Sequence, residues 1–377
     1  MIQEVIDITQ KLMKLKTVEN RYIEIMKAVN FLQNYANQNG LYFETIENEN
    51  HPIVIISNGQ KRKFDVMSLG HIDVVPAENK DQYLPKIDGN LLRGRGSFDM
   101  KTGVAIGLEL LRWVKKMGLD INMGIVLTSD EEVIGARSMD VVEKKGIHSK
   151  IILDSDGLTG ISAIVEKTKN AIFGKLVSKG KKVSSRIPWM GTSAIDNLML
   201  SLIGIRKHFP YYDGRHLPKS KREGGDFWEN HLTIGIIEGG SSRYRVSAEA
   251  SAELDFRVIN GLTGKDIKKI IQPELVGNTR YQEIYEFGSI NEDRNAPIMA
   301  LYASIIERIT GKKVKFIRDG RGSNSCMMKN KKGTTVIMHS YSGGGQHTPD
   351  EFVNLDTVKQ QCLIQKEFIK KITELET

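Results

Sequence analysis

The chain has 377 residues, of which 40% are hydrophobic and 27% are charged. At about 150 residues per domain this length predicts two or three domains, and the composition excludes a disordered or fibrous protein. No apolar run reaches the ~18 residues of a membrane span, and the first residues mix charged and apolar side chains where a signal peptide would be apolar throughout. We therefore predict a cytoplasmic protein with no membrane partner.

The chain is basic, with 54 basic and 46 acidic side chains and a net charge of +8. A basic protein raises the question of a nucleic-acid partner. Its clusters of lysine and arginine, at 61–63, 179–182 and 329–332, are short and lack the interleaved aromatic residues on which bases stack. We interpret them as solvated surface and predict no nucleic-acid partner. The two cysteines, Cys326 and Cys362, are too few for a disulfide framework, which fits a reducing cytoplasm.

The first third of the chain alternates predicted helices and strands. Apolar residues at helical spacing predict two amphipathic helices, at 5–15 and 23–32, and a third at 104–114. Continuous apolar runs predict buried strands, which lie at 53–56, 66–69, 125–127 and 151–153. Strands that alternate with helices predict an α/β fold, with a mostly parallel sheet covered by helices.

The pattern changes at about residue 169. Strand-like segments at 172–177, 232–237 and 250–258, with helices at 195–205 and 264–271, predict a smaller α+β domain inserted at 169–283. This domain would include a long loop at 210–230. The first pattern then returns, with a helix at 301–309, a strand at 336–338 and a last helix at 355–362. Residues 1–168 and 284–377 would therefore form one domain.

Histidine and carboxylate residues follow the predicted strands of this domain. After the strands at 66–69, 125–127, 151–153 and 336–338 come, in turn, His71 with Asp73, Asp130 with Glu131 and Glu132, Asp154 with Asp156, and His347. Ligands of an open α/β sheet bind beyond the carboxyl ends of its strands, so we expect these side chains to share one crevice. Asp99 lies just before a predicted helix, where it would either join this cluster or cap the helix.

Histidine and carboxylate ligands together suit zinc, cobalt or manganese better than calcium or magnesium. There are more candidate ligands than one tetrahedral ion can bind. We therefore predict two ions about 3.5–4 Å apart, bridged by a carboxylate and a water or hydroxide. Among Asp130, Glu131 and Glu132, one carboxylate would coordinate while its neighbour acts as a base. Asp73 would orient His71 through its other ring nitrogen. Each residue alone also fits a structural role, and the combination favours a metal site.

Four motifs, at 70–76, 94–101, 128–132 and 346–351, together resemble the M20 family of dizinc metallopeptidases and deacylases. That family includes acetylornithine deacetylase, succinyl-diaminopimelate desuccinylase and carboxypeptidase G2. The resemblance extends over nearly the whole chain in the same order. It implies a zinc-exopeptidase-like catalytic domain interrupted by a lid or dimerisation domain, and a homodimer formed through that inserted domain.

The resemblance also assigns roles to single residues. Glu131 would be the general acid and base, and Asp73 would complete the catalytic set. The implied metal ligands are His71, Asp99 as the bridge, Glu132, Asp156 and His347. Asp154 remains an alternative to Asp156, which we prefer because an Asp-Gly after the strand resembles the tripeptidase branch of the family. A cis peptide that does not involve proline is implied at Asp99–Met100.

The implied reaction is hydrolysis of an amide bond in a short peptide or N-acyl amino acid. In the implied reaction Glu131 would take a proton from a metal-bound water, the hydroxide so formed would attack the carbonyl, and Glu131 would return the proton to the leaving amine. Arg257, in an Asp-x-Arg segment, would bind a substrate carboxylate. Ser184 stands where the family has a lid histidine that stabilises the oxyanion, and Tyr244 begins a second altered lid segment. Loss of one such donor costs about 10²–10³ in kcat, so the alternative is an M20-like protein that binds metal but has lost or altered catalysis.

Overall fold

The computed structural model describes residues 1–59, 62–133, 136–156, 159–210, 228–329 and 333–376. Most of the loop expected at 210–230, and parts of the basic clusters at 61–63 and 329–332, lie outside these residues. The chain divides into two compact units. The first consists of Met1–Lys167, Ile290–Ile317 and Ser323–Thr377, and the second of Thr168–Ser289 and Arg318–Gly322.

The first unit contains a sheet that has eight strands within the described residues. In spatial order they are β1 (Tyr42–Ile46), β2 (Ile53–Ser57), β6 (Met123–Thr128), β3 (Lys63–His71), β7 (His148–Asp154), β14 (Thr335–Met338), β8 (Ala163–Thr168) and β13 (Lys315–Asp319). The four central strands β6, β3, β7 and β14 are parallel, whereas β1, β2 and β8 pair antiparallel. The prediction of a mostly parallel sheet is confirmed for the centre, where the site lies.

Helices cover both faces of this sheet. They are α1 (Ile2–Met13), α2 (Tyr22–Gln38), α3 (Lys101–Met117), α4 (Ala136–Lys144), α7 (Pro297–Thr310), α8 (Asn324–Lys329) and α9 (Leu355–Glu376). Successive strand residues point to opposite faces, so Ile151 and Leu153 pack in one core with α1, α2, α3, α7 and α9, and Ile152 packs in the other with α4 and α8. Burial on both faces explains why these strands are continuous apolar runs. Among the described residues, no helix combines the length and apolar character needed to cross a membrane.

A small antiparallel sheet in the first unit was not predicted. It contains β15 (Gly343–Gly344), β16 (Phe352–Asn354), β5 (Leu91–Arg93) and β4 (Lys86–Asp88), in that order. Phe352 pairs with Arg93 and with Gly344, which brings the segment after β5 next to the segment before β16. These two segments carry Asp99 and His347.

The second unit is a four-stranded antiparallel sheet with helices on one face. Its strands are β9 (Asn170–Lys179), β10 (His231–Gly239), β11 (Glu249–Val258) and β12 (Asn278–Glu286), in the order β10-β11-β9-β12. Helices α5 (Ala194–Arg206) and α6 (Gly264–Ile271) share an apolar core with β9 and β11. Helix α6 begins in a capping box between Thr263 and Asp266, which satisfies backbone N–H groups that the helix leaves without partners. This is the α+β architecture that the sequence predicted.

Candidate metal centre

Three parallel strands deliver polar residues to one edge of the large sheet. The register pairs His71, the last residue of β3, with Thr128 at the end of β6. It also pairs Leu69 of β3 with Asp154 at the end of β7. The chain that follows each strand therefore leaves the sheet at a similar height, which brings His71, Glu131, Glu132 and Asp156 to the same region.

Asp99 lies between two histidines. Its Oδ1 is 3.2 Å from Nε2 of His71, and its Oδ2 is 3.2 Å from Nε2 of His347. The same Nε2 of His347 lies 3.1 Å from Oε2 of Glu132. Each oxygen of Asp99 thus faces a different histidine, which is the arrangement required of a carboxylate that bridges two cations.

The polar groups form two sets of possible ligand atoms. One set joins His71, Glu131 and Asp156, the other joins His71, Asp99 and Glu132, and within each set the atoms lie within 4.8 Å of one another. His347 adjoins the second set through Asp99 and Glu132. All five residues expected as ligands, together with Glu131, are therefore brought together in the first unit.

Asp154 and Asp156, which the sequence left as alternatives, have different surroundings. Asp154 is 2% exposed, and its Oδ1 accepts a hydrogen bond from the backbone N–H of Asp156 at 2.8 Å. Its Oδ2 accepts hydrogen bonds from the hydroxyls of Ser323, at 2.9 Å, and Ser325. The carboxylate of Asp154 is therefore engaged in hydrogen bonds within the protein, whereas that of Asp156 faces His71 and Glu131.

Asp73 holds two neighbours in place. Nδ1 of His71 donates a hydrogen bond to the backbone carbonyl of Asp73 at 3.0 Å and lies 3.4 Å from its Oδ1. This bond orients the ring so that Nε2 faces Oδ1 of Asp99. Oδ2 of Asp73 accepts a hydrogen bond from the backbone N–H of Glu132 at 2.8 Å, so one side chain links the ends of β3 and β6.

The cluster holds more negative charge than its two imidazoles neutralise. Burial raises the pKa of Glu131 to about 8, with a further contribution from nearby Glu132 and Asp99. Burial, Asp99 and Glu131 likewise raise the pKa of Asp156 well above its usual range. Contacts with Asp99 and Glu132 raise the pKa of His347 to about 10. A largely buried group of carboxylates that repel one another in this way fits divalent cations, which would supply the missing positive charge.

The segment that carries Asp99 is not a helix cap. Helix α3 begins at Lys101 with Met100 at its N-cap position, and no side chain caps it, which excludes the capping role considered for Asp99. The Asp99–Met100 peptide bond is cis, as the resemblance implied.

Residues 67–371 match the family model described as Peptidase family M20/M25/M40. The chain belongs to this family. An M20 domain-containing protein of Schizosaccharomyces pombe is 27% identical over 310 residues, which are 78% of this chain and 71% of that protein. A succinyl-diaminopimelate desuccinylase of Wolbachia pipientis is 24% identical over 322 residues, which are 80% of this chain and 77% of that protein.

The structure of a tripeptidase from Staphylococcus aureus is similar to this one, with a TM-score of 0.76 at 16% identity over 99% of both chains. The resemblance to M20 enzymes and the predicted fold class are thus confirmed. This M20 protein is a metal-dependent hydrolase of the class that acts on peptides or acylated amino acids.

The expected substrate-binding residue of this M20 hydrolase lies in the second unit. Arg257 is on β11, with its Nε 2.8 Å from Oδ1 of Asp255 and its Nη2 3.1 Å from Oδ2. The guanidinium also lies 5.5 Å from the ring centroid of Phe173. Ser184, where the resemblance implied a lid histidine, pairs with Arg245 in a β-bridge, and Tyr244 next to Arg245 is 71% exposed.

One residue of evident importance for the site was missed. Glu351 ends the last of the four motifs, but no role was predicted for it from the sequence. In the structure it is 1% exposed, and its carboxylate accepts hydrogen bonds from the segment that carries Asp99. The only available signal was its position four residues after His347.

Proposed function

We propose that this M20 hydrolase cleaves the amide bond of a short peptide or an N-acyl amino acid with the help of two divalent ions. We expect zinc, with cobalt or manganese as alternatives. The observation that carries the proposal is the position of Asp99, with one carboxylate oxygen facing His71 and the other facing His347. A carboxylate shared in this way suits a two-ion centre.

The proposed ligands divide into two groups around Asp99. His71 and Asp156 would hold one ion with it, and Glu132 and His347 would hold the other. The mixed nitrogen and oxygen donors suit zinc. When bound, the ions polarise the scissile carbonyl and favour ionisation of the attacking water.

We assign proton transfer to Glu131. A carboxylate oxygen of Glu131 lies within 4.8 Å of ligand atoms of His71 and Asp156, so it borders the proposed reaction site. Within the part of the chain that the structure describes, no group donates a hydrogen bond to it. Glu131 would take a proton from the attacking water and give it to the nitrogen of the leaving amine, which then departs without negative charge.

Two further residues act around this step. Asp73 is a positioning residue, because it orients the ring of His71 and holds the backbone of Glu132. Arg257 would bind a substrate carboxylate. Its Nε and Nη2 donate to Asp255, but a guanidinium has five N–H donors, and among the described residues those of Nη1 remain for a ligand.

We further propose a homodimer that forms through the second unit. Helix α5 exposes Met199, Leu200 and Ile203, which are 54%, 53% and 60% exposed. Strand β10 is at the edge of its sheet and exposes Ile236 and Ile237. An edge strand and an apolar helix surface are features that proteins usually cover. For the compartment we propose the cytoplasm, because Cys326 and Cys362 are both buried thiols and not a disulfide.

The test is a hydrolysis assay on protein loaded with zinc or cobalt, using a panel of dipeptides, tripeptides and N-acyl amino acids with and without a free carboxylate. We expect amine release from at least one class, and no release after removal of the metal with a chelator. Ser184 and Tyr244 favour the alternative of a protein that binds metal without turnover. Tight metal binding with no release across the panel would establish that alternative, and absence of metal binding would exclude both.

A further inference from the structure

We propose that Glu351 is a positioning residue that couples the two chain segments carrying Asp99 and His347, and thereby sets the affinity of the site for metal. This inference rests on the proposed metal centre. It assigns to a residue that touches neither metal nor substrate the task of fixing the distance between two ligands.

The first support is the number of groups that one carboxylate holds. Oε1 of Glu351 accepts hydrogen bonds from the backbone N–H groups of Phe98, at 2.9 Å, and Asp99, at 3.1 Å. Oε2 accepts hydrogen bonds from the N–H of Gly96, at 3.0 Å, and from Nη1 of Arg95, at 2.6 Å. The backbone carbonyl of Glu351 accepts a further hydrogen bond from Gly94 at 2.9 Å. The segment 94–99 is therefore wrapped around a single residue.

The second support is the environment of these bonds. Glu351 and Arg95 are 1% and 2% exposed, and hydrogen bonds to a charged group are stronger when water is excluded. The turn inside this segment is close-packed at Gly96. At Gly96, where φ is +80°, a Cβ atom would lie 2.9 Å from Cδ of Lys101 and 3.0 Å from Cγ1 of Val74. The position of Asp99 thus depends on a rigid loop and not on its own side chain alone.

The third support is that Glu351 is tied along the chain to His347. His347 lies in a turn that is closed by hydrogen bonds from the backbone N–H and the hydroxyl of Thr348 to the carbonyl of Gly345, at 3.0 and 2.8 Å. Between His347 and Glu351, the hydroxyl of Thr348 also accepts a hydrogen bond from the backbone N–H of Asp350 at 3.3 Å. Glu351 directly precedes β16, which pairs with β5. One end of this short rigid segment carries His347 and the other holds the backbone of Asp99, so Glu351 fixes the two ligands relative to each other.

The experiment compares Glu351→Gln with Asp350→Asn in titrations of metal-free protein with Zn²⁺ and with Co²⁺. The matched control makes the same change from carboxylate to amide one residue away, at an exposed side chain. Loss of a group that orients metal ligands typically costs about 10–100-fold in metal affinity. We expect a loss of that size for E351Q, an altered Co²⁺ absorption spectrum, and a change of less than about twofold for D350N.

Two further measurements test the role of Glu351 independently of the E351Q titration. Glu351→Asp keeps the charge but shortens the side chain, so we expect it to restore part of the affinity and of the Co²⁺ spectrum. In the metal-free native protein we expect slow hydrogen exchange at the amides of Gly96, Phe98 and Asp99, a measurement that needs no variant. Fast exchange at these amides, or wild-type metal affinity in folded E351Q, would overturn the proposal. If the native protein itself binds no metal, the proposed function fails instead, and the exchange data still judge the role of Glu351.

Discussion

At the scale of single residues, Glu131 and Glu132 are adjacent in the chain and chemically identical, but their side chains contact different neighbours. Oε2 of Glu132 contacts His347, and its backbone N–H is held by Asp73. Glu131 instead borders His71 and Asp156. From the sequence we expected one carboxylate among Asp130, Glu131 and Glu132 to coordinate and its neighbour to act as a base, and the resemblance implied Glu132 as the ligand and Glu131 as the base. These roles remain predictions.

We predict that Glu131→Gln and Glu132→Gln separate catalysis from metal binding. E131Q removes the group that transfers the proton, so kcat should fall by about 10²–10⁴ while metal content is unchanged. E132Q replaces a charged ligand by a neutral one, so metal affinity should fall by at least about tenfold. Steady-state kinetics and elemental analysis of both variants check this. Full turnover in E131Q, or metal loss equal to that in E132Q, would refute the assignment.

A second prediction concerns stability in acid. His339 is buried, with Nε2 donating a hydrogen bond to the carbonyl of Ile161 at 2.9 Å and Nδ1 facing the hydroxyl of Tyr302 at 3.1 Å. Burial lowers its pKa to about 4. Unfolded histidine binds a proton below a pH of about 6.5, so His339 should contribute a loss of stability between pH 6.5 and 4, of about 2 kcal/mol from pH 7.5 to 5.

Urea unfolding of the native protein and of His339→Gln at these two pH values measures this contribution. The variant should be less stable at pH 7.5 and should show a smaller drop on acidification. His148→Gln, a change at a partly exposed histidine, is the matched control and should keep the full drop. An identical pH dependence in H339Q would show that His339 does not cause it.

At the scale of elements, the sequence predicted those helices and strands that have a recognisable pattern of apolar residues. The buried runs at 53–56, 125–127 and 151–153 are strands because both faces of the large sheet are covered. Strand β4 has three exposed residues and β15 has two glycines, so neither carries a periodic signal. Their pairing depends on contacts between distant parts of the chain. Glu351 was missed for the same reason, since its hydrogen bonds reach residues more than 250 positions away.

The end of β7 offers a prediction at this scale. Asp156→Asn should weaken metal binding by about 10–100-fold with little effect on folding, because its side chain faces the ligand cluster. Asp154→Asn should lower the free energy of unfolding by about 1–3 kcal/mol, because it disrupts buried hydrogen bonds to Ser323 and Ser325. Metal titration and urea unfolding of both variants check this. If D154N instead weakened metal binding and D156N instead lowered the free energy of unfolding, Asp154 would be the ligand and Asp156 the structural residue.

At the scale of the whole molecule, the exposed apolar surface of the second unit leads to a prediction about assembly. We expect the native protein to have twice the mass of the 42.4 kDa chain in light scattering. The double variant Leu200→Glu with Ile203→Glu should have the mass of one chain, because it places carboxylates in an apolar interface. Met117→Glu changes an exposed apolar residue of the first unit and should remain a dimer. A native protein of single-chain mass would refute the proposal.

The two cysteines give the molecule an internal reporter. Cys326 lies in α8 and Cys362 in α9, which pack on opposite faces of the large sheet, and their side chains are 0% and 5% exposed. Burial raises the pKa of Cys362 to about 12, so almost none of it is the reactive thiolate at neutral pH. Alkylating reagents should therefore reach each sulfur only when the layer above it separates from the sheet. The rates at which the two sites are labelled would show whether the two layers detach together or independently.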